Sequence, residues 1–197
     1  MSRRLAQGYQ GEATTHTPVE TVAVVALGAN LGDRAATIDD AVRALARLPL
    51  TTDVRAAPPI ESVAVTLAGP DASAPAYLNT VALVTTRLAP SVLLSYLHAI
   101  EAQHGRERRE RWGDRTLDLD LIAYGDVRSD EPALQVPHPR AAERDFVLGP
   151  WLAIDPDAVL PGVGRVAELL ARLRGDAGQS ADGGDTADAG DSGGATT

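Results

Sequence analysis

Hydrophobic and polar residues along the chain follow a pattern that predicts strands and helices in a regular order. Residues 21–27 (TVAVVAL) form a continuous apolar run with the length of a strand. Apolar residues at helical spacing follow in 34–48 and again in 90–104, where Pro90 suits the first helical turn. Further strands are predicted at 51–57, with a continuation at 60–65, at 77–87 and at 117–124.

This order of elements, βαββαβ, predicts an α+β fold with a ferredoxin-like core. In such a core, helices cover one face of an antiparallel sheet. Two further helical segments, 140–153 and 163–173, predict C-terminal helical additions that pack on the core. Because this architecture hosts many chemistries, the fold by itself predicts no function.

Polar sequence without periodicity flanks this core at both ends. Residues 1–20 show no apolar pattern, and 175–197 consist almost entirely of Gly, Asp, Ala, Ser and Thr. Such segments bury too little apolar surface to offset the entropy lost on ordering. We therefore predict a disordered N-terminal extension, one folded domain at 21–174, and a disordered acidic tail.

Composition narrows the chemistry that this domain can perform. The chain of 197 residues has no Cys, which excludes a disulfide scaffold, a thiol nucleophile and a Cys-ligated zinc site. It also has no Lys among its 18 basic residues, which excludes a Walker-type phosphate loop and leaves Arg to hold phosphates. The net charge of −9 argues against nucleic acid as a partner.

The chain offers no pattern for a membrane or a secretory route. No apolar run approaches the roughly 20 residues of a membrane helix. The N-terminus turns polar directly after its two arginines, unlike a secretory signal. We therefore expect a cytoplasmic protein without a membrane partner.

Two carboxylates alternate with leucines in the last predicted strand. Residues 115–121 read RTLDLDL, and strand alternation places the leucines in the core and Asp118 and Asp120 together on the other face. Their Cα atoms would lie roughly 6–7 Å apart, where two carboxylates repel unless a cation lies between them. Mg²⁺ suits this position because it binds one or two carboxylates together with water and phosphate. A solvated acidic strand face is the alternative.

An arginine-rich loop precedes this strand and contains Arg106, Arg108, Arg109, Arg111, Trp112 and Arg115. Acidic metal ligands beside phosphate-binding arginines are typical of a metal–nucleotide site. A solvated charged loop, and arginines that merely neutralise the two aspartates, are the alternatives. Arginine beside tryptophan also permits stacking on single-stranded nucleic acid.

Three further segments offer candidate binding groups. The stiff segment 136–140 (VPHPR) presents His138, with Arg144 shortly after it. Together they predict a second phosphate contact, although a structural histidine is the alternative. Asn79 would form hydrogen bonds with the amide edge of a heterocycle, or it would close a turn. The segment 28–33 (GANLGD) lacks a dinucleotide-binding spacing and predicts a turn and a helix cap.

Taken together, these motifs resemble the 6-hydroxymethyl-7,8-dihydropterin pyrophosphokinase family. The resemblance covers essentially residues 21–165 in order, and its specific centre is RWGDRTLDLDLI at 111–122. The other matching positions are 27–33, 77–79, 100–101, 105–106, 136–139, 144, 146–148 and 150–151.

The resemblance implies an Mg²⁺-dependent diphosphokinase of folate biosynthesis. It would act as a monomer, transfer pyrophosphate from ATP to 6-hydroxymethyl-7,8-dihydropterin, and release AMP and the pterin diphosphate. Asp118 and Asp120 would bind two Mg²⁺ ions, and Arg106 and Arg115 would hold the transferring phosphates. ATP would be bound by Glu101, Arg108, Trp112, His138 and Arg144. The pterin would be bound by Ser62, Tyr77, Asn79 and Phe146.

One segment departs from the family pattern. Residues 60–66 (IESVAVT) occupy the position of a usual Tyr-x-Thr-x-Pro-x-Gly run, so that Ser62 fits while Ala64 and Thr66 replace Pro and Gly. This departure leaves open an inactive paralogue that binds nucleotide or pterin without turnover. A ferredoxin-like RNA-binding module is the other alternative. It needs exposed aromatic residues on the middle strands, where the sequence offers only Tyr77.

Overall fold

An antiparallel sheet of five strands lies at the centre of this computed structural model, which describes residues 19–66, 69–71, 75–104 and 116–182. The elements follow in chain order as β1 (Thr21–Ala29), α1 (Arg34–Ala46), β2 (Thr51–Ala56), β3 (Ile60–Ser62), β4 (Ala64–Thr66), β5 (Gly69–Asp71), β6 (Tyr77–Thr86), α2 (Pro90–Gln103), β7 (Asp118–Tyr124), β8 (Ser129–Glu131), β9 (Leu134–Val136), a 3₁₀ helix (Ala141–Glu143), α3 (Asp145–Ile154), β10 (Val159–Leu160), β11 (Gly164–Arg165) and α4 (Val166–Asp182).

The strands of the central sheet lie in the order β2-β6-β1-β7, and all neighbours are antiparallel. β3 pairs with the part of β6 that lies beyond the end of β2. With α1 and α2 as the two crossover connections, this is the ferredoxin-like arrangement. The predicted α+β fold is therefore confirmed. Short hairpins form from β4–β5, β8–β9 and β10–β11.

Helices cover both faces of the sheet. α1 and α2 pack on one face against alternate residues of β1, including Ala23, Val25 and Leu27. α3 and α4 pack on the other face against a second cluster that contains Val81 and Ile122. Burial on two sides explains why the β1 sequence is a continuous apolar run rather than an alternating one. The predicted C-terminal additions thus form the second layer on the sheet.

The entry into α1 follows the predicted turn and cap. Gly32 has a φ of 64°, a left-handed conformation that glycine adopts without strain. The carboxylate of Asp33 accepts a hydrogen bond of 3.0 Å from the backbone N–H of Ala36. This cap satisfies one of the free N–H groups of the first turn and fixes where the helix begins.

Several predicted boundaries differ from the structure. Residues 66–76, predicted as a loop, contain β5 paired with β4. The single helix predicted at 140–153 is divided into the 3₁₀ helix and α3, with Arg144 in an extended conformation between them. α4 continues to Asp182, so the predicted start of the tail at 175 falls within a helix.

Of the predicted terminal segments, residues 1–18 and 183–197 lie outside the described residues. The disorder assigned to these residues therefore stays a prediction. Within the described part of the chain, none of the helices combines the length and apolarity needed to span a membrane.

Candidate active site

A row of three residues across the sheet brings the predicted metal and pterin groups together. Gly28 of β1 lies opposite Asn79 of β6 on one side and opposite Asp118 of β7 on the other. Directly opposed residues of a sheet project their side chains to the same face. The side chains of Asn79 and Asp118 therefore flank a glycine on one face. Asp120, opposite Ala26, projects to this face as well.

The alternation predicted for the RTLDLDL segment is confirmed. Leu117, Leu119 and Leu121 are buried in the core formed with α1 and α2. Asp118 and Asp120 are only half-buried, and they lie on the face that α3 and α4 cover farther along the strands. The open end of this second layer is therefore where the two carboxylates remain accessible to a ligand.

Asp120 has a cationic neighbour at the start of α3. Nη1 of Arg144 donates a hydrogen bond of 2.7 Å to Oδ2 of Asp120. The guanidinium carbon of Arg144 also lies 5.8 Å from the centre of the Phe146 ring. The break between the 3₁₀ helix and α3 thus directs an arginine and an aromatic ring to the edge of the carboxylate site.

His138 faces the same carboxylate in a fixed orientation. Its backbone N–H donates to the carbonyl oxygen of Ile122 at 2.8 Å, and its Nδ1 accepts from the backbone N–H of Arg140 at 3.1 Å. With Nδ1 an acceptor, the neutral ring carries its proton on Nε2, which lies 3.9 Å from Oδ2 of Asp120.

Burial lowers the pKa of His138 below its ordinary value, and the positive charges of Arg144 and Arg140 act in the same direction. The carboxylate of Asp120 opposes this shift without reversing it. His138 is therefore neutral at pH 7, and it offers the site a hydrogen-bond donor rather than a second positive charge.

The pterin-side residues form a second group on the same face. Nδ2 of Asn79 donates a hydrogen bond of 2.7 Å to Oγ of Ser62. Ser62 lies opposite Tyr77 where β3 pairs with β6. A Cβ atom added at Gly28 would lie 3.0 Å from Oδ1 of Asn79 and 3.9 Å from the Tyr77 ring. The missing side chain of Gly28 is what lets the Asn79 amide approach the strand, whereas the Tyr77 ring would be in ordinary van der Waals contact with an added Cβ.

Comparison with known protein families shows which family the chain belongs to. Residues 24–156 match the model of the family described as 7,8-dihydro-6-hydroxymethylpterin-pyrophosphokinase (HPPK). The chain belongs to this family. The HPPK match includes both carboxylates of β7, as well as Asn79, His138 and Arg144.

Individual relatives carry the same description. The 2-amino-4-hydroxy-6-hydroxymethyldihydropteridine pyrophosphokinase of Pseudomonas aeruginosa is 44% identical over 147 residues, which cover 75% of this chain and 88% of the relative. The pyrophosphokinase of the same description from Haemophilus influenzae is 37% identical over 148 residues, covering 75% and 90% of the two chains. Family membership makes the present chain a pyrophosphokinase, which is a transferase.

The fold is also similar to that of solved HPPK-containing proteins. The wild-type HPPK-DHPS of Plasmodium falciparum gives a TM-score of 0.62 at 12% identity, covering 85% of this chain and 43% of that one. The present chain therefore spans less than half the length of this neighbour. At such low identity the likeness shows the fold alone.

Glu101, one of the predicted ATP-binding residues of the HPPK domain, makes a contact within the core. It is buried in α2, and its Oε1 accepts a hydrogen bond of 2.9 Å from the backbone N–H of Leu119. Among the described residues, β7 is an edge strand of the central sheet. The Glu101 carboxylate therefore supplies an acceptor where the sheet has no further strand. Glu101 therefore supports the strand that carries Asp118 and Asp120, while its contact with ATP stays a prediction.

We expect Glu101→Ala to destabilise the protein by about 2 kcal/mol, because it leaves a buried N–H group without its carboxylate acceptor. Glu101→Gln retains an acceptor oxygen and should cost less. Urea unfolding of both variants measures the difference, and Glu143→Ala removes an exposed carboxylate as the matched control. A Glu101→Ala protein as stable as the control would contradict this role.

Four predicted site residues, Arg106, Arg108, Trp112 and Arg115, lie outside the described residues. The arginine side of the phosphate site therefore stays a prediction.

Two residues that lie against the site were not among the sequence candidates. Gly28 was interpreted as part of a turn, although its place directly after an apolar run also fits the end of a strand. Arg34 offered no signal beyond its place in the first turn of α1.

Proposed function

We propose that this HPPK-family chain transfers pyrophosphate from ATP to 6-hydroxymethyl-7,8-dihydropterin and releases AMP and the pterin diphosphate in folate biosynthesis. The observation that carries the proposal is the row Asn79–Gly28–Asp118. It sets an amide suited to a heterocycle next to a carboxylate suited to a metal–phosphate complex. Transfer from a nucleotide to a flat acceptor depends above all on such alignment of the two substrates.

The donor set at the end of β7 fits Mg²⁺. Asp118 and Asp120 supply carboxylate oxygens on one half-buried face, and we propose that they hold two ions. No cluster of three or more His, Asp or Glu that could hold a metal occurs among the described residues. The remaining ligands would therefore be water and phosphate oxygens, as Mg²⁺ prefers. Bound Mg²⁺ would neutralise phosphate charge during the transfer.

The pterin side of the proposal rests on the side-chain amide of Asn79, whose orientation is fixed by a hydrogen bond. Asn79 is almost fully buried, and its bond to Ser62 fixes the plane of the amide before any ligand arrives. An amide held in one plane discriminates between donors and acceptors on a heterocycle edge. Tyr77 and Phe146 would hold the two faces of the pterin ring.

The ATP side combines a cation with a neutral donor. We propose that Arg144 and Nε2 of His138 bind ATP phosphates, together with Glu101, Arg108 and Trp112. Arg106 and Arg115 would stabilise the phosphoryl group in transfer. Phosphoryl transfer has a loose transition state that needs alignment and charge neutralisation more than a strong base. We assign no general base.

Release of AMP tests this function directly. Purified protein with Mg²⁺ and ATP should release AMP only when 6-hydroxymethyl-7,8-dihydropterin is added. Pterin binding without AMP release would indicate the inactive paralogue. Retention of RNA on a filter at moderate salt, without pterin binding, would indicate the RNA-binding module instead.

We further propose that the protein works as a monomer in the cytoplasm, where its nucleotide substrate is available. The described groups of the proposed site lie in the central sheet, in α2, on the segment after β9 and at the start of α3, so a single chain can supply them together. Sedimentation at the concentrations used for turnover tests the oligomeric state.

We expect Arg106→Ala and Arg115→Ala each to lower kcat by about 10²-fold, the effect of removing one electrostatic stabiliser of a transition state. Pterin affinity should change little, because these groups act where charge develops during the transfer. Steady-state kinetics together with a pterin titration separate the two effects. Arg165→Ala removes an exposed arginine from a surface ion pair and serves as the control. Lost pterin affinity with an intact kcat would assign these arginines a different role.

A further inference from the structure

Arg34, in the first turn of α1, bridges two separate segments of the chain. Its Nη1 donates a hydrogen bond of 2.5 Å to the carbonyl oxygen of Ala76. Its Nη2 donates one of 2.9 Å to Oε1 of Glu61. The guanidinium group is half-buried at this junction, with 31% of the side chain exposed. One side chain thus connects a helix, the strand β3 and the residue before β6.

Both partners of Arg34 immediately precede residues of the proposed pterin site. Glu61 comes before Ser62, and Ala76 comes before Tyr77. Ser62 and Tyr77 are themselves paired across β3 and β6, and this is the last pair between the two strands. The chain leaves the central sheet after Ser62 and rejoins it at Tyr77. Arg34 therefore contacts the chain at both points, next to where it leaves the sheet and next to where it rejoins it.

We propose that Arg34 is a positioning residue for pterin binding. By holding Glu61 and the carbonyl of Ala76, it fixes the ends of β3 and β6 so that Ser62 and Tyr77 stay in register. The bond from Asn79 to Ser62 depends on this register, and so does the plane of the Asn79 amide. The inference rests on the proposed function, because that function identifies the pterin as the ligand of Ser62, Tyr77 and Asn79.

An arginine is required for the double contact. The planar guanidinium group presents donors in two directions from one rigid fork, whereas a lysine ammonium group is a single point on a flexible stem. Of the two bonds, the one to the Ala76 carbonyl is expected to matter more. The Glu61 side chain is 65% exposed, and ion pairs with such an exposed partner contribute little.

The start of α1 is itself well anchored. The Asp33 cap and the left-handed Gly32 fix the first turn immediately after the turn that follows Gly28. Arg34 therefore links the anchored start of α1 to Glu61 in β3 and to Ala76 before β6. This is how a residue that does not contact the substrate sets the geometry of those that do.

The test compares Arg34→Ala, Arg34→Lys and Glu61→Gln with wild type, and Arg43→Ala serves as the matched control. Arg43 is an exposed arginine of the same helix and pairs with Asp40, so its removal causes the same change in charge. The probe is a titration with 6-hydroxymethyl-7,8-dihydropterin in the presence of Mg²⁺ and a non-hydrolysable ATP analogue. KM for each substrate, kcat and Tm are measured in parallel.

Arg34→Ala should weaken pterin binding by about tenfold, a fraction of the loss that a displacement of 1 Å can cause. KM for ATP should stay within about twofold of wild type, as expected for a defect confined to one substrate. Glu61→Gln should have a smaller effect, Arg34→Lys should restore part of the affinity, and Arg43→Ala should match wild type.

Wild-type pterin affinity in Arg34→Ala would overturn the inference. Equal losses for ATP and pterin with a lowered Tm would overturn it too, since they indicate general destabilisation. Because the titration needs no turnover, it distinguishes this inference from the proposed function. A wild-type protein that binds pterin but releases no AMP refutes the transfer while the Arg34 comparison still holds. A wild-type protein that binds no pterin refutes both.

Discussion

Asp118→Asn and Asp120→Asn should each reduce Mg²⁺-dependent turnover by at least about 10²-fold, because several kcal/mol of charge stabilisation depend on a correctly held metal. Asparagine keeps the shape of the side chain and removes the charge that attracts a hard cation. The measurement is AMP release across a magnesium titration. Calorimetric titration of Mg²⁺ with a non-hydrolysable ATP analogue reports metal binding independently of turnover.

The effect of these substitutions on stability should be small and should differ between the two positions. Two adjacent carboxylates would repel each other, but the ion pair with Arg144 already offsets this repulsion at Asp120. Asp120→Asn removes that pair, so it should lower the stability of the metal-free protein by less than about 1 kcal/mol rather than raise it. Melting in EDTA measures this difference.

Asp157→Asn is the matched control for both variants, because Asp157 is a highly exposed aspartate in a surface ion pair with Arg165. It should leave turnover and its magnesium dependence unchanged. If the Asp118 and Asp120 variants behave like this control, the assignment of the metal site is wrong, and most of the functional proposal fails with it.

Gly28→Val should nearly abolish pterin binding, and Gly28→Ala should weaken it by about tenfold or more, on the scale of overpacking a closely packed site. The first added carbon would already lie 3.0 Å from Oδ1 of Asn79. Asn79 cannot move aside freely, because its Nδ2 is bonded to Ser62. Valine adds two further carbons on the face where we propose that the pterin lies. Direct pterin titration with Mg²⁺ and an ATP analogue measures the loss.

Gly149→Ala is the control for the glycine series. Gly149 lies within α3, and the nearest atom to an added Cβ is 4.0 Å away on the side chain of Arg174. Alanine there should be neutral or slightly stabilising, since alanine favours the helix more than glycine does. Wild-type pterin affinity in Gly28→Val would show that the ligand does not approach this part of β1.

The order of the elements could be predicted because each carries a strong local pattern. The run 21–27, buried on both faces, could only be a strand or a buried helix, and its length favours the strand. The strand β5 had no such signal, because its sequence Gly-Pro-Asp has low strand propensity. The break at Arg144 had none either. It coincides with a bond to Asp120, a tertiary contact that local sequence does not reveal.

The part of the site that could be predicted is the part where polar and apolar residues alternate along a strand. Asp118 and Asp120 alternate with leucines, so their shared face followed from strand geometry alone. The meeting of Gly28 with Asn79 and Asp118 depends on the order and register of three strands, which no local pattern specifies. The bonds of Glu101 to Leu119 and of Arg34 to Ala76 are likewise long-range contacts.

Coverage of the sheet on both faces has a consequence for how the chain folds. The βαββαβ unit ends at β7, yet among the described residues one face of its sheet is covered mainly by α3 and α4, which come later in the sequence. Before those helices are in place, Val81, Leu83 and Ile122 would form a contiguous apolar surface in water, which favours association with other chains. We therefore expect the ferredoxin-like unit alone to be unstable, and a chain emerging from the ribosome to complete this layer of its core only after α4 has been synthesised.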